Sequence, residues 1–200
     1  MKYERGRIVR LARVAAPILI AVAIHSGVSA AGVKKADWVG DYGAVAMGTG
    51  HTGLPAGRAT RIDIDIYRWT TPEERQTILE LLATGDGKAI RAGLDDLEDV
   101  GRIRMPGQSG YQLVYAWQIE EAGKKRVVVA MNRPFLSSPG ATTGNSVDYL
   151  VGIAVLDFEG SAEGKGMIAP AVELEIKENG QIDVSESAAD PVQLTSVKAR

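Results

Sequence analysis

Residues 60 to 104 read TRIDIDIYRW, then TTPEERQTILELLATG, then DGKAIRAGLDDLEDVGRIR, and the change of period inside this stretch decides the fold. Ile62, Ile64 and Ile66 alternate with Asp63, Asp65 and Tyr67, the period of a strand that buries one face. At Thr71 the pattern changes. Thr71-Pro72-Glu73-Glu74 offers a capping hydroxyl, a proline at the first helical position and a glutamate three residues after the cap. Ile78, Leu79, Leu81 and Leu82 follow as an apolar stripe, and Gly85 supplies a permissive residue at the helix end. A second helix is expected over Lys88 to Glu98, with Ile90, Leu94 and Leu97 on one stripe. Only Gly85 and Asp86 part the two, so they are expected to form an antiparallel hairpin, or one bent helix, docked on a sheet.

Elsewhere the chain reads as strand. Upstream, a strand near Trp38 to Met47 is expected to pair with the Ile62 strand through a long glycine-rich loop, Gly48 to Gly57. Downstream, strands are expected over Tyr111 to Ile119, Arg126 to Asn132, Val147 to Phe158, Met167 to Lys177, Gln181 to Glu186 and Val192 to Lys198. Glu121-Ala122-Gly123 and Asn179-Gly180 are turn sequences between them. Val127-Val128-Val129 and Leu150 to Leu156 are apolar on both faces, as strands covered on two sides would be. The expected fold is α+β. An antiparallel meander of about seven to eight strands curls into a partial barrel or two-layer sheet, with one helical hairpin (72–99) packed on it.

Residues 1–30 stand apart. Lys2, Arg5, Arg7, Arg10 and Arg13 precede an apolar segment, Val14 to Ile24, that ends near Val28-Ser29-Ala30, the pattern of a signal peptide. Pro17, His25, Ser26 and Gly27 leave the apolar run short of the roughly 20 residues a spanning helix needs, so stable membrane insertion is not expected. Residues 31–36 are expected to be an exposed leader, and 37–200 a single α+β domain, exported to the periplasm or outside the cell. Without the first 30 residues the chain has 18 basic and 24 acidic residues, a net charge of −6. Such a surface gives no electrostatic reason to bind nucleic acid. The absence of cysteine excludes disulfides, thiolate metal sites and cysteine nucleophiles.

The order of features resembles an uncharacterised family of exported bacterial proteins. The resemblance is carried by the TTPEER helix, the second helix ending in VGRIR, the KKRVVVAMNRPF strand, SVDYLVGIAVLDFEGSAEGKG and a closing PVQLTSV. It implies export and the element order, and it implies no chemistry, because that family has no established activity or catalytic residues.

Few side chains invite a chemical reading. Gly48-Thr49-Gly50-His51-Thr52-Gly53 matches the dinucleotide fingerprint, but a strand follows it instead of a helix, so no aligned amides face a pyrophosphate and no cofactor is expected. His51 with Asp63 and Asp65 would be the metal-binding and acid–base set of a metal-assisted hydrolase, the enzyme alternative; the two aspartates read equally well as the wet side of an edge strand. Asp95, Asp96, Glu98 and Asp99 crowd the end of the second helix, where the macrodipole disfavours them, which hints at an ion there or at a network with Arg91, Arg102 and Arg104. Lys124, Lys125 and Arg126 form a basic run, read as a solvated turn that guards a strand edge. Tyr111, Tyr115 and Trp117 share one face of an alternating strand with Leu113 and Ile119, and read either as core or as the lining of an apolar cavity.

No nucleophile elbow, zinc helix, phosphate loop or calcium loop is present. The functional expectation is therefore a non-enzymatic exported domain that binds a small apolar ligand, lined by Tyr111, Tyr115 and Trp117, or an envelope protein. A purely structural interaction module is the third reading.

Overall fold

The computed structural model describes residues 37–48, 54, 56–135, 151–160, 162–176, 182–187 and 190–200. The expected signal peptide, the leader, residues 49–53 and 55 of the glycine-rich loop, His51 among them, residues 147–150 and the Asn179-Gly180 turn lie outside the described residues.

The period-2 stretch forms β2 (Ala59–Ile66), antiparallel to β1 (Gly40–Met47) in the register Gly40 to Ile66 through Met47 to Ala59. Ile62, Ile64 and Ile66 are fully buried, each contributing roughly 1.5–3 kcal/mol by leaving water. The helix start is built as its sequence demands. Thr71 caps α1 (Pro72–Ala83) by accepting the Glu74 amide, and the Glu74 carboxylate accepts the Thr71 amide at 2.8 Å. Asp86 then caps α2 (Gly87–Asp95) by accepting the Lys88 and Ala89 amides. The two helices form the expected hairpin.

Seven more strands follow: β3 (Gly101–Arg104), β4 (Tyr111–Glu121), β5 (Lys124–Met131), β6 (Val151–Glu159), β7 (Glu163–Ile176), β8 (Ile182–Ser187) and β9 (Val192–Ala199). Every neighbour relation is antiparallel. The sheet goes further than the partial barrel or two-layer sheet expected from sequence. Strand β9 inserts between β1 and β7, and β6 pairs with β7, so eight strands close into a barrel while β8 stays outside, paired to the far half of β7. Eight strands is the number whose lumen side chains alone can fill. The lumen here is filled by Ala44, Ala46, Ile62, Ile64, Ile103, Val127, Val129, Leu156, Ile168 and Leu194 among others.

Two bulges set which residues reach that lumen. In β4 the register advances two residues, Leu113 to Tyr115, while β5 advances one, Met131 to Ala130, so Leu113 and Ala116 both face inward. In β9 Ser196 takes a φ of 50°, and the inward residues are Leu194 and Val197. Gly164 makes room beside Phe158, since a Cβ there would stand 2.4 Å from the Asp157 carbonyl and 2.7 Å from the Phe158 ring.

The helical hairpin covers part of the outer barrel face. Ile78, Leu82, Ile90 and Leu94 pack with Val114, Val151 and Val172, forming a second apolar cluster separate from the lumen. The expectation that β5 and β6 are covered on both faces is thus met for Val151, but Val128 and Val155 on the outer face are only half-buried. Among the described residues no helix is long and apolar enough to cross a membrane.

Candidate functional site

At the end where β1 and β5 begin and β4, β6 and β9 finish, the lumen layer changes from aliphatic to aromatic and polar. Tyr42 and Phe158 meet with ring centroids 5.8 Å apart. Lys125 is in phase with the buried Val127 and Val129, so it turns inward, its ammonium 4.9 Å from the centroid of Phe158 and 5.4 Å from that of Tyr42. Gln118 is in phase with buried Ala116, and its amide donates to the Glu120 carboxylate at 2.8 Å. Burial raises the pKa of the Tyr42 hydroxyl, and the Glu120 charge adds to the effect, so the phenol stays neutral.

The segment leading into β1 passes over this layer. Trp38 stacks near Tyr67 at 5.3 Å between ring centroids, and Val39 is left exposed. Together with Tyr42, Gln118, Lys125 and Arg200 they border an open cleft of about 480 Å³. That volume falls within the roughly 300–1,000 Å³ of small-molecule sites, which recur at the mouths of β-barrels.

Arg200 links the mouth to a charged cluster on the outer face of β1 and β2. Its guanidinium lies 3.0 Å from both Asp41 and Asp63 and donates to the Tyr42 carbonyl at 2.7 Å. Gly43 leaves the lane in which this side chain runs, since a Cβ there would stand 3.2 Å from the Arg200 Nε. Arg61 donates to Asp63 at 2.8 Å. Asp65 lies directly across from Asp41 in the strand register, a pairing of like charges that destabilises a sheet on its own. Arg104 answers it at 3.0 Å, although no N–H points well enough at either Asp65 oxygen to count as a hydrogen bond. With its side chain 1% exposed, Asp65 has its pKa raised by burial, opposed by Arg104, raised again by Asp41, opposed by Arg200 and raised by Asp63.

His51 lies outside the described residues, so of the metal-assisted set the structure places only the two aspartates. Asp63 and Asp65 do share a face, but each is held by an arginine. Among the described residues no group of three or more His, Asp or Glu side chains is arranged to hold a metal. The bulge in β4 divides the aromatic stripe. Tyr111 packs on the lumen cluster, 5.0 Å from Phe135 between centroids, Tyr115 packs under the helices, and Trp117 faces outward beside Val128. These three residues therefore do not line one cavity. Burial raises the pKa of the Tyr115 hydroxyl, against an opposing pull from Arg75.

The acidic crowd after α2 is dispersed among separate partners. Glu98 lies 3.3 Å from Arg68, Asp99 accepts from Gln112 at 2.9 Å and Asp95 accepts from Asn132 at 3.1 Å. Nor does the basic run guard an edge, because β5 is flanked by β4 and β6. Lys124 and Arg126 reach Glu159 and Asp157. The phase of Lys125 with Val127 and Val129 is visible in the sequence, but nothing local marks it as a mouth residue.

No protein-family model matches the chain, and neither a curated protein nor a solved structure matches it.

Proposed function

We propose that this is an exported, non-catalytic binding domain that takes a small molecule at the mouth of its closed barrel. The observation that carries the reading is the cleft itself: the half-buried Trp38 ring beside an inward-turned Lys125, whose ammonium lies over the buried Tyr42 ring. It takes the place of the cavity expected around Tyr111, Tyr115 and Trp117. The filled lumen below supports a site at the mouth, since apolar side chains already occupy the interior. The metal-assisted hydrolase built on His51, Asp63 and Asp65 is the weaker reading, because both aspartates are engaged by arginines and Asp65 is shielded from any substrate. Export rests on the sequence of residues 1–30 and on the family resemblance. A fragment screen followed by amide NMR tests the site. Hits are expected to shift Gly40 to Tyr42, Gln118 and Lys125, and hits that cluster elsewhere would remove the proposal.

One further surface favours an envelope protein as partner. Trp117, Val128, Val155 and Met167 are successive cross-strand neighbours on the outer face, and Met167 is 40% exposed. A Val128→Lys, Val155→Lys double variant is expected to keep its fold and lose crosslinking to a partner in the native envelope. Unchanged crosslinking would dismiss this surface.

A further inference from the structure

The mouth also carries information about the chemical class of its ligand, and the inference drawn from it rests on the binding role just proposed. Lys125 has three N–H donors and no acceptor of its own. Its ammonium is held over the Phe158 and Tyr42 rings, and among the described residues no carboxylate comes within 4.0 Å of it. The nearest candidate by register is Glu120, its direct cross-strand partner, but that carboxylate is engaged by the Gln118 amide at 2.8 Å. The other cation of the cleft is committed, because Arg200 spans Asp41 and Asp63 and donates to the Tyr42 carbonyl. One cation with unused donors thus sits at the inner wall of a cleft bordered by the Trp38 ring.

We propose that the barrel mouth recognises an aromatic carboxylate, its flat ring against the half-buried Trp38 and its acid group on the Lys125 ammonium. A wholly apolar ligand would leave those donors unsatisfied where it displaced water, which disfavours it relative to an acid of the same shape. Glu120 opposes the incoming charge and sets a ceiling on affinity. Gln118, whose amide donates to Glu120, lines the same cleft.

The probes are 2-naphthoate and its uncharged isostere 2-naphthamide, titrated calorimetrically against the folded protein. The acid is expected to bind about tenfold more tightly than the amide, as one charge-assisted hydrogen bond predicts. Lys125→Met, which keeps an apolar stem over the rings, should erase that preference, and Lys125→Arg should retain it. Glu120→Gln should raise affinity for the acid while leaving the amide unchanged, and it supplies an independent readout if Lys125→Met does not fold. Equal binding of acid and amide by the unaltered protein overturns the anionic class but leaves the mouth as a site. Binding of neither probe overturns this inference, and the fragment screen then decides separately whether the mouth is a site at all. An acid preference that survives Lys125→Met also overturns the assignment, since another cation would then be the receptor.

Discussion

Thr70 and Ala116 stand 46 residues apart and exchange two hydrogen bonds, the Thr70 hydroxyl accepting the Ala116 amide at 2.8 Å and the Ala116 carbonyl accepting the Thr70 amide at 3.0 Å. Strand β3 is too short to flank β4 beyond Leu113, so Thr70 stands in as a strand neighbour just after the bulge. Thr70→Val keeps the shape but leaves a buried amide without a partner, and is expected to cost about 1–3 kcal/mol. Thr70→Ser should recover most of the loss. Chemical denaturation of both variants, with amide exchange at Ala116, checks this.

Asp65 should make the protein less stable as pH rises. Its folded pKa lies above the ordinary carboxylate value, so between the two the native state holds a proton that the unfolded chain has released. Stability falls through that window, and the full penalty persists above it. Asp65→Asn is therefore expected to gain on the unaltered protein as pH climbs from 3.5 to 7. A melting-temperature difference that moves the other way would show that Arg104 outweighs the burial.

Glu74 should act with the opposite sign. Burial pushes its pKa up, but the Arg68 guanidinium at 2.6 and 2.8 Å and the Thr71 amide pull it further down, to a net lowering. Its contribution is complete above the unfolded carboxylate pKa and fades as pH falls through the lowered folded value. Glu74→Gln is expected to cost about 1–2 kcal/mol at pH 7, since a charge-assisted pair with partly exposed members is lost. Melting curves of the two proteins should converge in acid.

The β4–β5 turn offers a gain. Ala122 and Gly123 have φ of 51° and 77°, the two-residue hairpin geometry that suits asparagine followed by glycine. Ala122→Asn is expected to stabilise by about 0.5–1 kcal/mol, because alanine is strained in that region and asparagine much less so. An unchanged denaturation midpoint would show that the turn is relaxed.

What could be read from sequence is local. The isoleucine alternation and the Thr71 and Glu74 capping pair each carry their meaning within a few residues, and both are found as expected. The bulges are of another kind. Nothing in Val114-Tyr115 or Ser196 announces an extra residue, because a bulge exists only relative to the partner strand. That is why an aromatic face drawn by simple alternation breaks between Leu113 and Tyr115. Closure is hidden for the same reason, since β9 bypasses β8 to reach β7. In the mouth, Lys125 was masked by its charged neighbours Lys124 and Arg126, although strand phase set it apart from them.

The placement of β9 has a kinetic consequence. Thr195 reaches back to the Val45 carbonyl across 150 residues, so β1 waits for its second neighbour until almost all the intervening chain has been made. Until then two raw margins, on β1 and β7, are open to mispairing, and a topology ruled by such distant contacts assembles slowly. A chaperone that holds the growing chain would have this seam to protect, and versions lacking Val192 to Ala199 should precipitate during refolding while the intact protein stays clear.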